Sequence, residues 1–357
     1  MKKYCLIAKF LIIIIALIII VFCCSYNYGI GAVSKDTTNI VVKIEDNSTY
    51  LSIADLLKNN NLIRSKSFYK MYIKIFKPSN LYAGTYNLNK SMGVKKIVEV
   101  LSHESNCNPD QITITFKEGL NMRKIASLIA DSTNNTMDDV YNLLEDKEYL
   151  NYLIDTYWFI NSDILNSNIY YSLEGYLFPD TYYFTNKDVT VKEIFERMLD
   201  EMNTKLTPYK EDILNSKYSI HELLTLASIV ELEGASSNDR ASIAEVFYNR
   251  LKDNWTLGSD VTTYYAEKMD DWKIGLTNKQ LNTCNSYNTR GTCFKGLPVG
   301  PICNPGIESI KAVIYPSSND DYYFVADCNG KVYLSKTATE HDAIQAKLIS
   351  EGNWCDN

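Results

Sequence analysis

The sequence predicts an α+β chain: an N-terminal transmembrane helix, a small strand-and-helix module, and a larger mixed α+β domain. Three observations carry this. An apolar run, Phe10–Cys24, stands near the start. A strand–turn–helix pattern then occurs twice at an offset of 72 residues. The second half mixes clear helices with turn-rich segments and two late strands, which is the order of an α+β domain rather than of repeated βαβ units.

The apolar run reads FLIIIIALIIIVFCC. A spanning helix needs about 20 apolar residues, and 4–24 supplies them if Lys9 snorkels. Lys2, Lys3 and Lys9 flank the run on its N-terminal side only. Positive charge stays cytoplasmic, so residues 1–9 are expected inside and the bulk of the chain outside. The competing reading is a cleaved signal peptide. FCCSYN offers no small-x-small cleavage site and no good lipobox, which favours an uncleaved anchor. Residues 25–39 read as a polar linker.

The module spans 40–110. Val41–Leu57 and Thr113–Ile129 align without gaps. Val42/Ile114 and Ile44/Phe116 alternate as in strands, and Ile53/Ile125, Ala54/Ala126 and Leu56/Leu128 recur at helical spacing. Asp46-Asn47 and Glu118-Gly119 hold the turns. Between the copies, Leu81–Leu101 is another strand, turn and helix, with Ser91 as the expected N-cap. The larger domain spans 111–350. Its expected helices are Val191–Leu206, Ser219–Glu233, Asp239–Lys252 and Ile307–Ile314, with strands at Tyr322–Ala326 and Val332–Leu334 and a last helix from Thr337.

The chain is 46% hydrophobic and 22% charged, ordinary for a globular protein. A net charge of −7 argues against nucleic acid as a partner. Cys107, Cys284, Cys293, Cys303, Cys328 and Cys355 lie beyond the anchor, and an even number outside the cell permits disulfides. Cys284 and Cys293 could close one loop; other pairings stay open. Three histidines and no zinc spacing leave no expected metal site.

The chemistry centres on SIHELLTLASIVELE. At 100° per residue Ile220, Leu223, Leu224, Ala227 and Val230 form one apolar stripe, and Glu231 falls within it, whereas Glu222 and Glu233 point away. A carboxylate aimed inward is costly unless paired or protonated, and desolvation suits a general acid. The bland alternative is a buried ion pair, with Arg250 as the candidate partner. No nucleophile elbow, Walker loop or dinucleotide fingerprint competes. A two-carboxylate glycosidase would draw its second group from Glu174, Asp180 or Asp260. Leu257–Tyr265, Ser286–Gly291 and Gly296–Gly306 read as rigid polar and aromatic loops suited to a sugar cleft.

Taken in order, EGYLFPDTY, LASIVELE, FYNRL, SDVTTYY, YNTRG, GLPVGPICNPG and YYFVA resemble the MltG/YceG family of endolytic murein transglycosylases, with LYAGTY and KEGLNMRKIA upstream. The resemblance implies a LysM-like module ahead of a YceG-like catalytic domain. It implies a membrane-anchored enzyme that cuts nascent peptidoglycan strands at the MurNAc–GlcNAc β-1,4 bond and leaves 1,6-anhydroMurNAc ends. Glu231 matches the family's catalytic glutamate, acting as acid and then base. By the same matching Asn249, Arg250, Asp260, Thr262, Tyr287, Asn288, Thr289, Gly296, Leu297 and Pro298 bind substrate or brace the cleft. No cofactor is implied, and peptidoglycan synthases of the elongation machinery are the implied partners. Val261, Arg290 and Lys331 depart from the family pattern. The alternatives are a muramidase using water, or a non-enzymatic cell-wall binder.

Overall fold

The computed structural model describes residues 18–45, 48–78, 81–103, 112–234, 237–291, 293 and 295–354. The chain divides into two compact units, Met1–Ile112 and Thr113–Asn357.

In the first unit a helical stretch, α1 (18–30), leaves Ile18, Ile19, Ile20, Val21 and Phe22 exposed. Most of the expected spanning run lies outside the described residues. Among the described residues no helix is long and apolar enough to cross a membrane. The order then is β1 (Ile40–Ile44), α2 (Tyr50–Asn59), α3 (Lys66–Phe76), β2 (Gly84–Leu88) and α4 (Val94–Leu101). β1 and β2 pair antiparallel, Ile40 opposite Leu88 and Ile44 opposite Gly84. Alternate strand residues Val42, Ile44, Tyr86 and Leu88 join Ile53, Ala54, Leu57, Ile73 and Ile97 in one core, as a strand with one buried face requires. The cap of α4 differs from expectation. Gly93 is its N-cap, without a side-chain bond, because Ser91 sits two residues early and bonds Asn89 Oδ1 instead.

The second unit runs β3 (Ile112–Thr115), α5 (Met122–Ser132), α6 (Met137–Glu145), α7 (Lys147–Thr156), β4 (Thr181–Phe184), α8 (Val191–Leu206), α9 (Lys210–Leu214), α10 (Ile220–Glu233), α11 (Ser237–Lys252), α12 (Asp260–Ala266), α13 (Asn278–Leu281), α14 (Ile307–Ile314), β5 (Tyr323–Ala326), β6 (Val332–Ser335) and α15 (Ala338–Ser350). β3 pairs with β4 and β5 with β6. The second copy of the repeated pattern is β3 with α5, and Ile114, Phe116, Ile125, Ala126 and Ile129 are buried as their counterparts are.

α10 is the centre of this unit, packed by α11, α12 and α14. Nine of its residues from His221 to Val230 are buried, so it is covered on most sides. Its start is set by Ser219 and Glu222 in a reciprocal capping box, a device that contributes about 1 kcal/mol. α12 is a correction: Asp260–Ala266 was expected as loop. Val261, Thr262, Thr263 and Tyr265 are poor helix formers, but all four are buried, and packing overrides so weak a propensity.

Candidate active site

Glu231 lies in the last turn of α10, where the helix emerges from its packing. Its side chain is only 6% exposed. Among the described residues three donors converge on the carboxylate. Arg240 Nη2 donates to Oε1 at 2.9 Å. The Gly306 N–H and the Ser309 hydroxyl donate to Oε2 at 2.9 and 2.7 Å. Arg240 reaches back because the chain reverses after α10. A Cβ on Gly234 would stand 2.7 Å from Arg240 Cγ and 2.9 Å from the Val230 carbonyl oxygen, so the reversal needs glycine there. Gly306 and Ser309 belong to the first turn of α14, whose unpaired N–H groups suit an anion. Arg240, not the expected Arg250, is therefore the ion-pair partner. The partner lies on the near end of α11, just past the reversal, whereas Arg250 is more than two turns farther along.

Glu231 opens on a cavity of about 350 Å³ shared with Lys117, Glu118, Lys124, Asp270 and Trp272. Burial, then the charge of Glu231, pushes the Glu118 carboxyl above its usual range. Asp270 goes the other way. Burial would raise it, but hydrogen bonds from Arg123 (2.6 and 3.0 Å) and Asn121 (2.6 Å) hold it below the carboxylate norm.

The other face of the same helix end meets a second cavity of about 510 Å³, walled by Glu233, Arg250, Trp255, Asp260, Arg290 and Tyr323. Glu233 accepts the Ser259 hydroxyl at 2.6 Å, and burial raises its carboxyl above the usual value. Asp260 pairs with Arg290 at 2.9 Å near the surface, a contact worth at most about 1 kcal/mol. Arg250 donates to the Tyr322 carbonyl at 2.7 Å and to the Leu257 carbonyl. Asn249 holds the carbonyls of Asn319 and Asp321, each at 3.1 Å.

The remaining residues expected at the cleft are mostly interior braces. The Thr262 and Thr289 hydroxyls bond each other at 2.8 Å, and Thr289 Oγ1 accepts the Ser259 N–H. Asn288 donates to the carbonyls of Gln280, Leu281 and Thr283 while its Oδ1 accepts from Thr263. Tyr287 is fully buried between Tyr170 and Tyr265. Pro298 is buried, and Gly296 and Leu297 are half-exposed. None of the ten residues expected to bind substrate or brace the cleft lines the Glu231 cavity. Arg250 and Asp260 line the second one instead, because α10 stands between the two.

Glu174, offered as a second carboxylate, is 1% exposed. Its oxygens accept the Met122 N–H, the Tyr265 hydroxyl and the Asn304 amide at 2.9, 2.9 and 3.1 Å. Burial pushes it up to about 7. Asn304 also bonds the backbone of Leu120 and Leu177, so these two residues tie four segments behind the site. Cys284 and Cys293 form a disulfide as the spacing suggested, Cys328 is also disulfide-bonded, and Cys303 is a buried free thiol. Arg240, Ser309 and Glu118 escaped the sequence reading. Only Glu118 carried a signal, as the turn residue of the repeated pattern.

The profile of the YceG-like family matches residues 42–347. The chain is 36% identical over 337 residues to an endolytic murein transglycosylase of Bacillus subtilis (strain 168), covering 92% of this chain and 91% of that one. It is 29% identical over 325 residues to an endolytic murein transglycosylase of Streptococcus pneumoniae serotype 2 (strain D39 / NCTC 7466), of which it spans 58%. The crystal structure of a yceG-like protein from Listeria monocytogenes superposes with a TM-score of 0.61 at 34% identity, covering 86% of this chain and 99% of that one.

Proposed function

The chain belongs to the YceG-like family, and from that premise we propose that it is an endolytic lytic transglycosylase of peptidoglycan, with Glu231 as its catalytic group. The observation that carries the assignment to Glu231 is its setting. One carboxyl at a helix end is fixed by three donors and opens on a cavity.

The cycle conserves one proton. Protonated Glu231 donates to the glycosidic oxygen, and the bond from MurNAc C1 to that oxygen breaks. The carboxylate then takes the proton of the MurNAc C6 hydroxyl as that oxygen bonds C1 of its own ring. Arg240, Gly306 and Ser309 hold the carboxylate between the two steps. An internal hydroxyl attacks with high effective concentration, so no second group must activate water. A muramidase reading loses support at two of the three carboxylates offered as its second group. Asp260 lines the cavity on the opposite face of α10, and the oxygens of Glu174 are committed to internal donors.

The βααβ order of β1, α2, α3 and β2 supports a LysM-like glycan-binding module over 40–110. The exposed apolar residues 18–22 of α1, which belong to the run from Phe10, support a membrane anchor with the catalytic domain outside. Such a tether would restrict cutting to strands emerging at the bilayer, near the synthases that make them.

Purified glycan strands digested with wild type and with Glu231→Gln test the assignment. Anhydro-ended fragments, lighter by one water than hydrolysis products, are expected from wild type alone. Equal release by a folded Gln variant refutes it.

A further inference from the structure

The turn after β3 brings a second carboxylate to the site. Lys117, Glu118 and Gly119 line the same cavity as Glu231. The Glu118 carboxylate lies directly on Gly306: an ideal Cβ there would stand 1.9 Å from Glu118 Oε1. The Gly306 N–H is itself one of the three donors on Glu231. Gly306 is thus the thin partition between two carboxylates, and any side chain at that position would displace Glu118.

Resting on the transglycosylase reading, we propose that Glu118 is a positioning residue of the catalytic site, whose negative charge offsets Arg240 so that Glu231 can carry the proton that the reaction donates. Arg240 alone favours the anion, which serves the second half of the cycle and opposes the first. Two carboxylates facing one guanidinium balance when they hold one proton between them. Other charges face Glu118 too: Lys117 on its own segment, Lys124 on α5, Asp270 across the cavity, Glu308 on α14 and Arg240 on α11. They comprise three cations and two anions besides Glu231, so an ionised Glu118 leaves the group neutral around a protonated Glu231, and its loss leaves one excess positive charge that favours the Glu231 anion.

The test is Glu118→Gln in the full chain, with Glu118→Asp beside it. Removing the charge takes away the counterweight to Arg240. The alkaline limb of the kcat profile should move down by about one pH unit, a roughly tenfold loss on that limb. Glu118→Asp should retain the wild-type limb, and both variants should keep the wild-type unfolding midpoint. In parallel, the Glu231 carboxyl carbon, assigned by its loss in Glu231→Gln, is titrated by NMR in isotope-labelled full chain, and its midpoint should fall in Glu118→Gln. An unmoved limb and an unmoved midpoint overturn the proposal. So does a non-anhydro product from wild type that disappears in Glu118→Gln, which would make Glu118 a base for water. If wild type cleaves nothing, the transglycosylase reading fails, while the carbon titration still decides the electrostatic claim.

Discussion

Glu231 and Glu233 stand two residues apart in the last turn of α10, and the fold treats them oppositely. Glu231 meets an arginine, a backbone N–H and a hydroxyl beside a small cavity. Glu233 meets the Ser259 hydroxyl beside a larger, aromatic-walled cavity. A helix sends neighbours two apart to nearly opposite faces, so one turn of backbone serves two environments. The difference teaches that a carboxyl's role follows from the donors that neighbouring segments bring to it, not from its place in a motif.

The largest expected effect lies in the pair itself. Glu231→Gln should lower turnover by about a thousandfold, within the span of general acid–base catalysis, and Glu233→Gln by less than about tenfold. Quantified anhydro products check both, and a reversed ranking would move the chemistry to the second cavity. Next, Arg240→Met would leave Glu231 buried without its cation. A loss of about 3 kcal/mol is expected from urea unfolding, whereas Arg290→Met on the Glu233 side should cost at most about 1 kcal/mol because that pair is largely exposed.

Glu174 sharpens the comparison as a carboxyl buried among neutral donors. Its folded value of about 7 lies above the 4.5 of an exposed glutamate. The unfolded chain therefore releases this proton first as pH rises. Glu174's contribution is complete below about 4.5 and falls away as pH climbs through 7, by at most about 3 kcal/mol. Denaturation curves across that window should flatten in Glu174→Gln. The smallest effect on turnover concerns the Cys284–Cys293 bridge, whose loop includes the Thr289 contact to Ser259 and so to Glu233. Its reduction should cost about 2 kcal/mol of stability while changing turnover less than about twofold.

Much of the fold was legible because it rests on local pattern. α8 and α14 match their expected bounds, and α10 begins at its capping serine. The inward aim of Glu231 follows from helix phase alone. What surrounds it does not. Arg240, Gly306 and Ser309 arrive through a chain reversal and a contact 75 residues away, and neither leaves a periodic trace. α12 was hidden because β-branched residues mask a helix that only packing stabilises. Whether Tyr287, Asn288 and Thr289 bind or brace was not legible, because buried braces and sugar contacts draw on the same side chains.

The grip on Glu231 also has a meaning in the time of synthesis. Gly306 and Ser309 come 75 and 78 residues after it, and Asn304 ties back to Leu120 across 184. A ribosome that has finished α10 has made the Glu231 carboxyl but none of its α14 supports. A chain cut short before residue 304 carries the motif without the machine. An unfinished copy therefore holds Glu231 without the two donors that α14 brings to it.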